Sequence, residues 1–131
     1  MQELISTVER YLSSVEGIEN VVIAYSGGVD SHVLLHACST LQASFVTLNF
    51  KAIYIDHGLH EDSKLWRLHC HNTSEHLGVN FVSEVVNAID INGEGPEQAA
   101  RNARYAALRK HCSENTLLLV AQHQDDQAEA L

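Results

Sequence analysis

Short runs of apolar residues alternate along this chain with longer segments in which apolar residues recur every three or four positions. A run of strand length that is apolar throughout is typical of a strand buried on both faces of a parallel sheet. Apolar residues three and four apart are typical of one face of an amphipathic helix. Strands that alternate with helices predict an α/β fold, with a parallel sheet, helices on both faces and right-handed crossovers.

The element boundaries follow from the apolar pattern and from glycine and proline. The predicted strands are residues 21–25, 51–55, 79–86 and 116–121, four within this chain. Helices are predicted over residues 2–15, 31–41, 65–77 and 96 to about 110, and a further helix is expected to open near Asp125. Gly17 and Gly78 are expected to stop the helices before them, and Pro96 suits a first helical position, where its missing N–H is not needed.

Length and charge limit the class of protein. The chain has 131 residues, enough for one domain with a core, and a net charge of −9. Such a charge argues against a broad nucleic-acid-binding face, which is usually basic. It leaves room for a small anion site, because backbone N–H groups bind phosphate without any lysine.

The cysteines and the apolar segments favour a cytoplasmic protein. Cys38, Cys70 and Cys112 are odd in number, far apart and without a CxxC pair, so neither a disulfide framework nor a zinc ribbon is indicated. The charged N-terminus is unlike a signal peptide, and no stretch approaches the ~18 apolar residues of a membrane span. The final QDDQAEAL stops within a helical pattern, so we expect residues 1–131 to be an N-terminal piece of a longer protein.

The sequence SGGVDS, residues 26–31, lies between the first predicted strand and the next predicted helix. Ligands of parallel α/β sheets bind beyond the carboxyl ends of the strands, where this segment falls. Gly27 and Gly28 can adopt positive φ and let a ligand approach the backbone, and the helix start presents free N–H groups. Ser26 and Ser31 add hydroxyl donors. These features predict a site for a di- or triphosphate.

Asp30 favours a site for phosphate with bound Mg²⁺ over a site for bare phosphate. The segment lacks the lysine of a Walker A loop and the spacing of G-x-G-x-x-G. A carboxylate at Asp30 repels bare phosphate, but it is favourable if Mg²⁺ lies between it and the phosphate oxygens. The alternative is an ordinary strand–turn–helix connection in which Asp30 and Ser31 cap the helix.

After an apolar strand, SGGVDS resembles the PP-loop of the N-type ATP pyrophosphatases, which split ATP into AMP and pyrophosphate and leave an adenylylated substrate. Three further stretches are similar, in order and spacing, to the tRNA(Ile)-lysidine synthetase family within that superfamily. They are IDHGL at 55–59, GEGPEQAARNARYAAL at 93–108 and AQHQDDQAEAL at 121–131. The resemblance runs from about Asn20 onward and implies a Rossmann-like, adenine nucleotide alpha-hydrolase-like fold.

The resemblance also implies a reaction. ATP with Mg²⁺ would adenylylate the wobble cytidine of tRNA(Ile), and L-lysine would then displace AMP to give lysidine. Family members are longer and carry C-terminal tRNA-binding regions, so this segment alone is expected to be inactive; a homodimer fits the family. Ala130 stands where the family commonly has Thr. The alternatives are another adenylylating PP-loop enzyme, such as a tRNA thiolase or an amidotransferase-type synthetase, and a non-catalytic nucleotide-binding domain.

The same resemblance assigns roles to individual residues. Those assigned to the nucleotide are Ala24, Ser26, Gly27, Gly28, Val29, Asp30, Ser31, Ile55, His57, Arg101 and His123. Those assigned to catalysis are Asp30, Arg101, Asp125 and Asp126, with Asp30 and Asp126 also as Mg²⁺ ligands. Ala24 and Ile55 would act through backbone groups near the adenine or ribose.

Simpler interpretations stay open for several of these residues. Arg101 and its neighbour Arg104 suit phosphate with their forked donors, but most helix arginines are solvated, and the role of Arg104 is left open. Asp125 and Asp126 are either ordinary caps or ligands of a second Mg²⁺ or of a lysine ammonium. Trp66 is interpreted as a packing residue, and no chemistry is assigned to the cysteines.

Overall fold

The structure is a computed structural model that describes residues 2–56, 63–86, 93, 95–121 and 126–130. Within these residues the helices are α1 (Gln2–Ser14), α2 (Val29–Leu41), α3 (Ser63–His76) and α4 (Pro96–Lys110). The strands are β1 (Asn20–Ala24), β2 (Asn49–Asp56), β3 (Asn80–Val85), β4 (Thr116–Ala121) and β5 (Asp126–Ala130). They form one sheet in the order β3-β2-β1-β4-β5.

The first four strands are parallel, which confirms the predicted α/β fold. β1 lies in the middle and pairs with β2 on one side and β4 on the other, while β2 also pairs with β3. Gly17 and Gly78, with φ of 78° and 74°, follow the ends of α1 and α3. Positive φ is the usual way to leave a helix, so these two glycines end their helices as predicted.

The end of the chain differs from the sequence prediction. A helix opening near Asp125 is wrong for residues 126–130, which form β5 antiparallel to β4, with Ala121 paired to Asp126. Without β5, β4 would be an edge strand whose outer backbone donors and acceptors lack partners. The residues of DQAEA favour a helix locally, but pairing with β4 is a property of the whole fold and overrides that preference.

The core lies on both faces of the sheet. Side chains of β1 alternate between two clusters, with Val21 and Ile23 in one and Val22 and Ala24 in the other, each at most 1% exposed. The first cluster is completed by α1, α2 and α3, with Val8, Leu12, Leu34, Leu35, Cys38 and Cys70. The second is closed by α4, with Ala107 and Leu108. Burial on both faces explains why β1 is apolar from Val21 to Ala24.

The topology brings the candidate residues to one edge of the sheet. Because β1, β2 and β4 are parallel, their carboxyl ends meet at the same edge. α2 begins there at Val29, just after β1, and β2 ends there at Asp56. Across the described ranges, no helix combines the length and the apolar character that crossing a membrane requires.

Candidate functional site

Residues 25–28 connect β1 to α2 in a tight bend. Gly27 has φ of +83°, a conformation that residues with a Cβ rarely adopt. Gly28 is extended, with φ of −72° and ψ of 169°, and stands at the N-cap of α2. Of the two glycines for which the sequence allows positive φ, only Gly27 uses it.

Two serine side chains hold the bend in shape. The Ser31 hydroxyl donates to the carbonyl of Gly28 over 3.1 Å and accepts from the N–H of Ser26 over 3.2 Å. The hydroxyls of Ser26 and Ser31 lie 3.0 Å apart, and Gly28 N–H donates to Ser26 Oγ over 3.3 Å. Since the single hydroxyl proton of Ser31 goes to Gly28, the Ser26 hydroxyl donates to Ser31. Both protons are therefore used inside the bend.

The donors that remain for a ligand are backbone groups. The first hydrogen bond of α2 runs from His32 N–H to the carbonyl of Gly28 over 2.9 Å, and no side chain of the described residues caps the helix. The N–H groups of Val29, Asp30 and Ser31 therefore point out of the first turn without a partner in that part of the chain. Together with the positive end of the helix dipole they form a place for an anion.

Exposure separates the roles of these residues. Val29 is 80% exposed and Asp30 is exposed beside it, whereas Ser31 is 3% exposed. An exposed carboxylate at Asp30 is free to bind a cation held against phosphate oxygens, as the sequence predicts. Mg²⁺ in nucleotide sites typically takes one or two carboxylates together with phosphate oxygens, so Asp30 fits that donor set.

A wall formed by α3 lies behind Gly27. The indole N–H of Trp66 donates to the carbonyl of Ser26 over 2.9 Å. A Cβ placed on Gly27 would come within 2.8 Å of Cys70 Sγ and of Trp66 Cζ2. The sequence alone predicts a packing role for Trp66 and no chemical role for Cys70. The Trp66 contact joins residues 40 apart, and no local pattern marks it.

Burial keeps Cys70 neutral next to the anion site. It is fully buried, and loss of solvation raises the pKa of its thiol from 9.0 to about 11. A thiolate at this point would repel phosphate. The neutral thiol instead packs as a small apolar group under the bend.

The candidate strand-end residues lie next to the bend. Ala24 and Ile55 are buried in the cluster under α4, so their side chains face the core. Asp56 is a buried carboxylate at the end of β2, and its backbone carbonyl accepts from Val86 N–H over 2.7 Å. Burial, followed by the negative charge of Asp56, raises the pKa of Tyr54.

Two of the three arginines of α4, Arg101 and Arg104, differ in environment. Arg101 is exposed, and its guanidinium lies 5.4 Å from the centre of the Tyr105 ring. Arg104 is more buried. Desolvation lowers the pKa of its guanidinium, the interaction with Tyr105 opposes that shift, and the charge of Arg101 adds to it. In the described part of the chain Arg104 forms no ion pair.

Several candidate residues lie outside the described part of the chain. They are His57, His123 and Asp125. For Asp126 the backbone is placed in β5. The roles predicted for these four residues stay predictions. Within the described residues there is no group of three or more His, Cys, Asp or Glu side chains arranged to hold a metal ion.

Comparisons with known proteins agree with this geometry. The family model for the PP-loop domain matches residues 2–131. The tRNA(Ile)-lysidine synthase of Pectobacterium atrosepticum is 44% identical over 128 residues, and that of Proteus mirabilis is 40% identical over 129 residues. These alignments cover 97% and 96% of this chain but 28% of either relative, so the chain spans under a third of their length.

Among solved structures, a universal stress protein family member from Burkholderia pseudomallei is 17% identical, with a TM-score of 0.40 over 79% of this chain and 97% of that chain. A similarity this low carries no argument about function. The family model, by contrast, matches almost the whole chain. This match agrees with the bend at Gly27, the uncapped start of α2 and the parallel sheet. The chain belongs to the PP-loop domain family.

Proposed function

We propose that this chain binds the polyphosphate of ATP at the β1–α2 connection, and that the protein uses the nucleotide to convert the wobble cytidine of tRNA(Ile) to lysidine. The second part rests on relatives named tRNA(Ile)-lysidine synthase. The relative from Alkalilimnicola ehrlichii is 42% identical over 95% of this chain. The cytoplasm, where tRNA is modified, is the proposed location.

The observation that carries the proposal is the uncapped first turn of α2. Three N–H groups, from Val29 to Ser31, face outward at a bend that Gly27 and the serine hydrogen bonds keep in one shape. Donors fixed before the ligand arrives stabilise a charge that develops on it, because they need not reorganise during reaction. The departure of pyrophosphate requires such stabilisation, because negative charge develops on the leaving oxygen.

In the proposed reaction, the carbonyl oxygen of the cytidine attacks the α-phosphorus of ATP. The bond from the α-phosphorus to the bridging oxygen breaks, and pyrophosphate leaves with the electron pair. The amine of L-lysine then attacks the activated carbon, AMP leaves, and the amine loses a proton. The α2 amides bind and orient the leaving phosphates, and Asp30 holds Mg²⁺. When bound, that ion neutralises charge on the phosphate oxygens.

The role of Asp30 is tested by binding measurements with two matched variants. Asp30→Asn removes the carboxylate at the first turn of α2, and Glu3→Gln removes one at the first turn of α1. In Mg²⁺, we expect Asp30→Asn to weaken ATP binding roughly tenfold, about 1.4 kcal/mol. In EDTA it should bind ATP as tightly as the unchanged chain or more tightly, because the repulsive carboxylate is gone.

Glu3→Gln should match the unchanged chain in both media. Titration calorimetry reads all four conditions. If Asp30→Asn weakens binding equally with and without Mg²⁺, Asp30 does not hold the ion.

The tRNA part is tested by AMP release from the protein that contains this chain. We expect AMP only when ATP, tRNA(Ile) and L-lysine are all present. AMP that requires a sulfur donor or an ammonia donor instead of lysine would identify another adenylylating PP-loop enzyme. ATP binding with no AMP under any condition would identify a non-catalytic nucleotide-binding domain.

A further inference from the structure

The contact between α3 and the bend of residues 25–28 has no role in the steps of the proposed reaction. Trp66 is 44% exposed, yet its polar edge is directed inward, with the indole N–H 2.9 Å from the Ser26 carbonyl. Its ring stacks on His69, with centroids 5.3 Å apart and planes inclined by 27°. A half-exposed tryptophan that serves packing alone has no need to donate to a backbone carbonyl of a binding loop.

The hydrogen bond fixes more than the carbonyl. The peptide between Ser26 and Gly27 is planar and trans, so its C=O and its N–H point in opposite directions. Holding the Ser26 carbonyl toward Trp66 therefore turns the N–H of Gly27 away from α3. Trp66 and Cys70 of α3 lie directly behind Gly27, so the bend has no space to shift toward α3.

We infer that Trp66 is a positioning residue for the polyphosphate site, which sets the Ser26–Gly27 peptide so that Gly27 N–H joins the amide donors of the first turn of α2. The inference rests on the proposed function, because it assumes that polyphosphate binds at this bend. Trp66 does not itself touch the ligand. It acts through one hydrogen bond and through the contact of its ring with Gly27.

The substitution Trp66→Phe tests this inference because it keeps an aromatic ring and removes the N–H donor. A typical net hydrogen bond is worth about 1 kcal/mol, so we expect the affinity for magnesium pyrophosphate and for MgATP to fall roughly fivefold. The affinity for adenosine should change less than twofold, because adenosine has no phosphate to meet the bend. A purely structural role would lower both affinities together or neither.

The matched control is His69→Ala. It removes the partner that stacks on Trp66 but leaves the hydrogen bond to Ser26 in place. We expect its pyrophosphate affinity to equal that of the unchanged chain. Thermal unfolding of all three proteins establishes that they are folded at the temperature of the titration.

A second measurement needs no variant. Trp66 is the only tryptophan of the chain, so its indole N–H gives a single resolved signal in a nitrogen-correlated NMR spectrum. If the hydrogen bond strengthens pyrophosphate binding, linkage requires pyrophosphate to strengthen the hydrogen bond by the same factor. Saturating magnesium pyrophosphate should therefore slow exchange of the indole proton roughly fivefold.

The outcomes separate this inference from the proposed function. If the unchanged chain binds neither pyrophosphate nor ATP, the proposed function fails. If it binds both, but Trp66→Phe binds equally well or the indole proton exchanges at the same rate with and without pyrophosphate, Trp66 is not a positioning residue. Equal losses for adenosine and pyrophosphate would likewise overturn the inference.

Discussion

Two glycines with almost the same φ lie in different surroundings. Gly78, between α3 and β3, has φ of +74° and nothing within 4 Å of the position where a Cβ would stand. Gly27, between β1 and α2, has φ of +83° and two side chains within 3 Å of that position. Gly78 leaves open space at its α-carbon, whereas Gly27 lets α3 pack against the backbone of a loop.

The difference shows what separates a turn from a site. Positive φ alone makes a chain reversal, and such reversals are common at helix ends. At Gly27 the bend is in addition fixed from behind by Trp66 and internally by Ser26 and Ser31. The bend is thus held in one shape before any ligand binds, which is the condition for amide donors to act on charge without reorganising.

The largest effect is expected from Gly27→Ala. The left-handed conformation costs about 1–2 kcal/mol for a residue with a Cβ, and overpacking against Trp66 and Cys70 adds about 1–3 kcal/mol. Gly78→Ala should lose only the first of these. Urea denaturation gives the free energy of unfolding of both variants. Equal losses would show that the side chains of Trp66 and Cys70 move aside at no energetic cost.

A double-mutant cycle between Gly27 and Cys70 measures how much of the loss comes from their contact. Cys70→Ala removes the sulfur that lies 2.8 Å from the new Cβ. The double variant should therefore be more stable than the sum of the single losses predicts, by at least about 0.5 kcal/mol. Strict additivity would place the strain entirely on the backbone or on Trp66.

The next largest effect is expected from Ser31→Ala. It leaves Ser26 N–H without its acceptor in a part-buried loop, which should cost about 1–3 kcal/mol of unfolding free energy. Ser39→Ala is the control on the same helix, since Ser39 donates only to the carbonyl of His36 at an exposed position. Its loss should be within about 0.5 kcal/mol. Similar losses for both variants would mean that the hydrogen bonds between Ser26 and Ser31 do not hold the bend in shape.

A pH dependence is expected from Cys70. Burial raises the pKa of its thiol from 9.0 to about 11, so the unfolded chain ionises this group at lower pH than the folded chain does. Its contribution to stability is complete below pH 9.0 and declines as the pH rises toward about 11.

Denaturation midpoints of the unchanged chain and of Cys70→Ala, measured between pH 8 and about 11, isolate this contribution. The unchanged chain should lose more stability over the interval. Parallel curves would show that Cys70 ionises as readily in the folded chain as in the unfolded one.

The smallest effect is expected from Gly28→Ala, next to the most sensitive position. Gly28 has an ordinary φ of −72°, and its Cβ would meet only Ser26 Oγ, at 3.4 Å. Unfolding free energy should change by less than about 1 kcal/mol, and a small gain is allowed because alanine restricts the unfolded chain. A loss as large as that of Gly27→Ala would remove the distinction between the two glycines.

The parallel part of the fold was predictable because its signals are local. β1 is an apolar run from Val21 to Ala24, and glycines such as Gly17 follow the helix ends, so both can be predicted from the local sequence. β5 was not predictable in this way. The preference of DQAEA for a helix is local, whereas the unpaired edge of β4 that it joins exists only in the folded sheet.

The site shows the same division. The segment at residues 26–31 could be read as a phosphate loop, because a helix start after a buried strand carries its own chemistry. The contact of Trp66 with Ser26 joins two elements 40 residues apart, and no spacing in the sequence encodes it. This contact is formed only once α3 has packed against the sheet.

We propose above all that backbone amides at the start of α2 bind the polyphosphate of a nucleotide. A crystal structure of the chain grown with Mg²⁺ and a non-hydrolysable ATP analogue tests it directly. We expect phosphate oxygens within hydrogen-bonding distance of the N–H groups of residues 29–31. An empty bend, with the triphosphate instead near Lys51 and His111 at the opposite edge of the sheet, would contradict it.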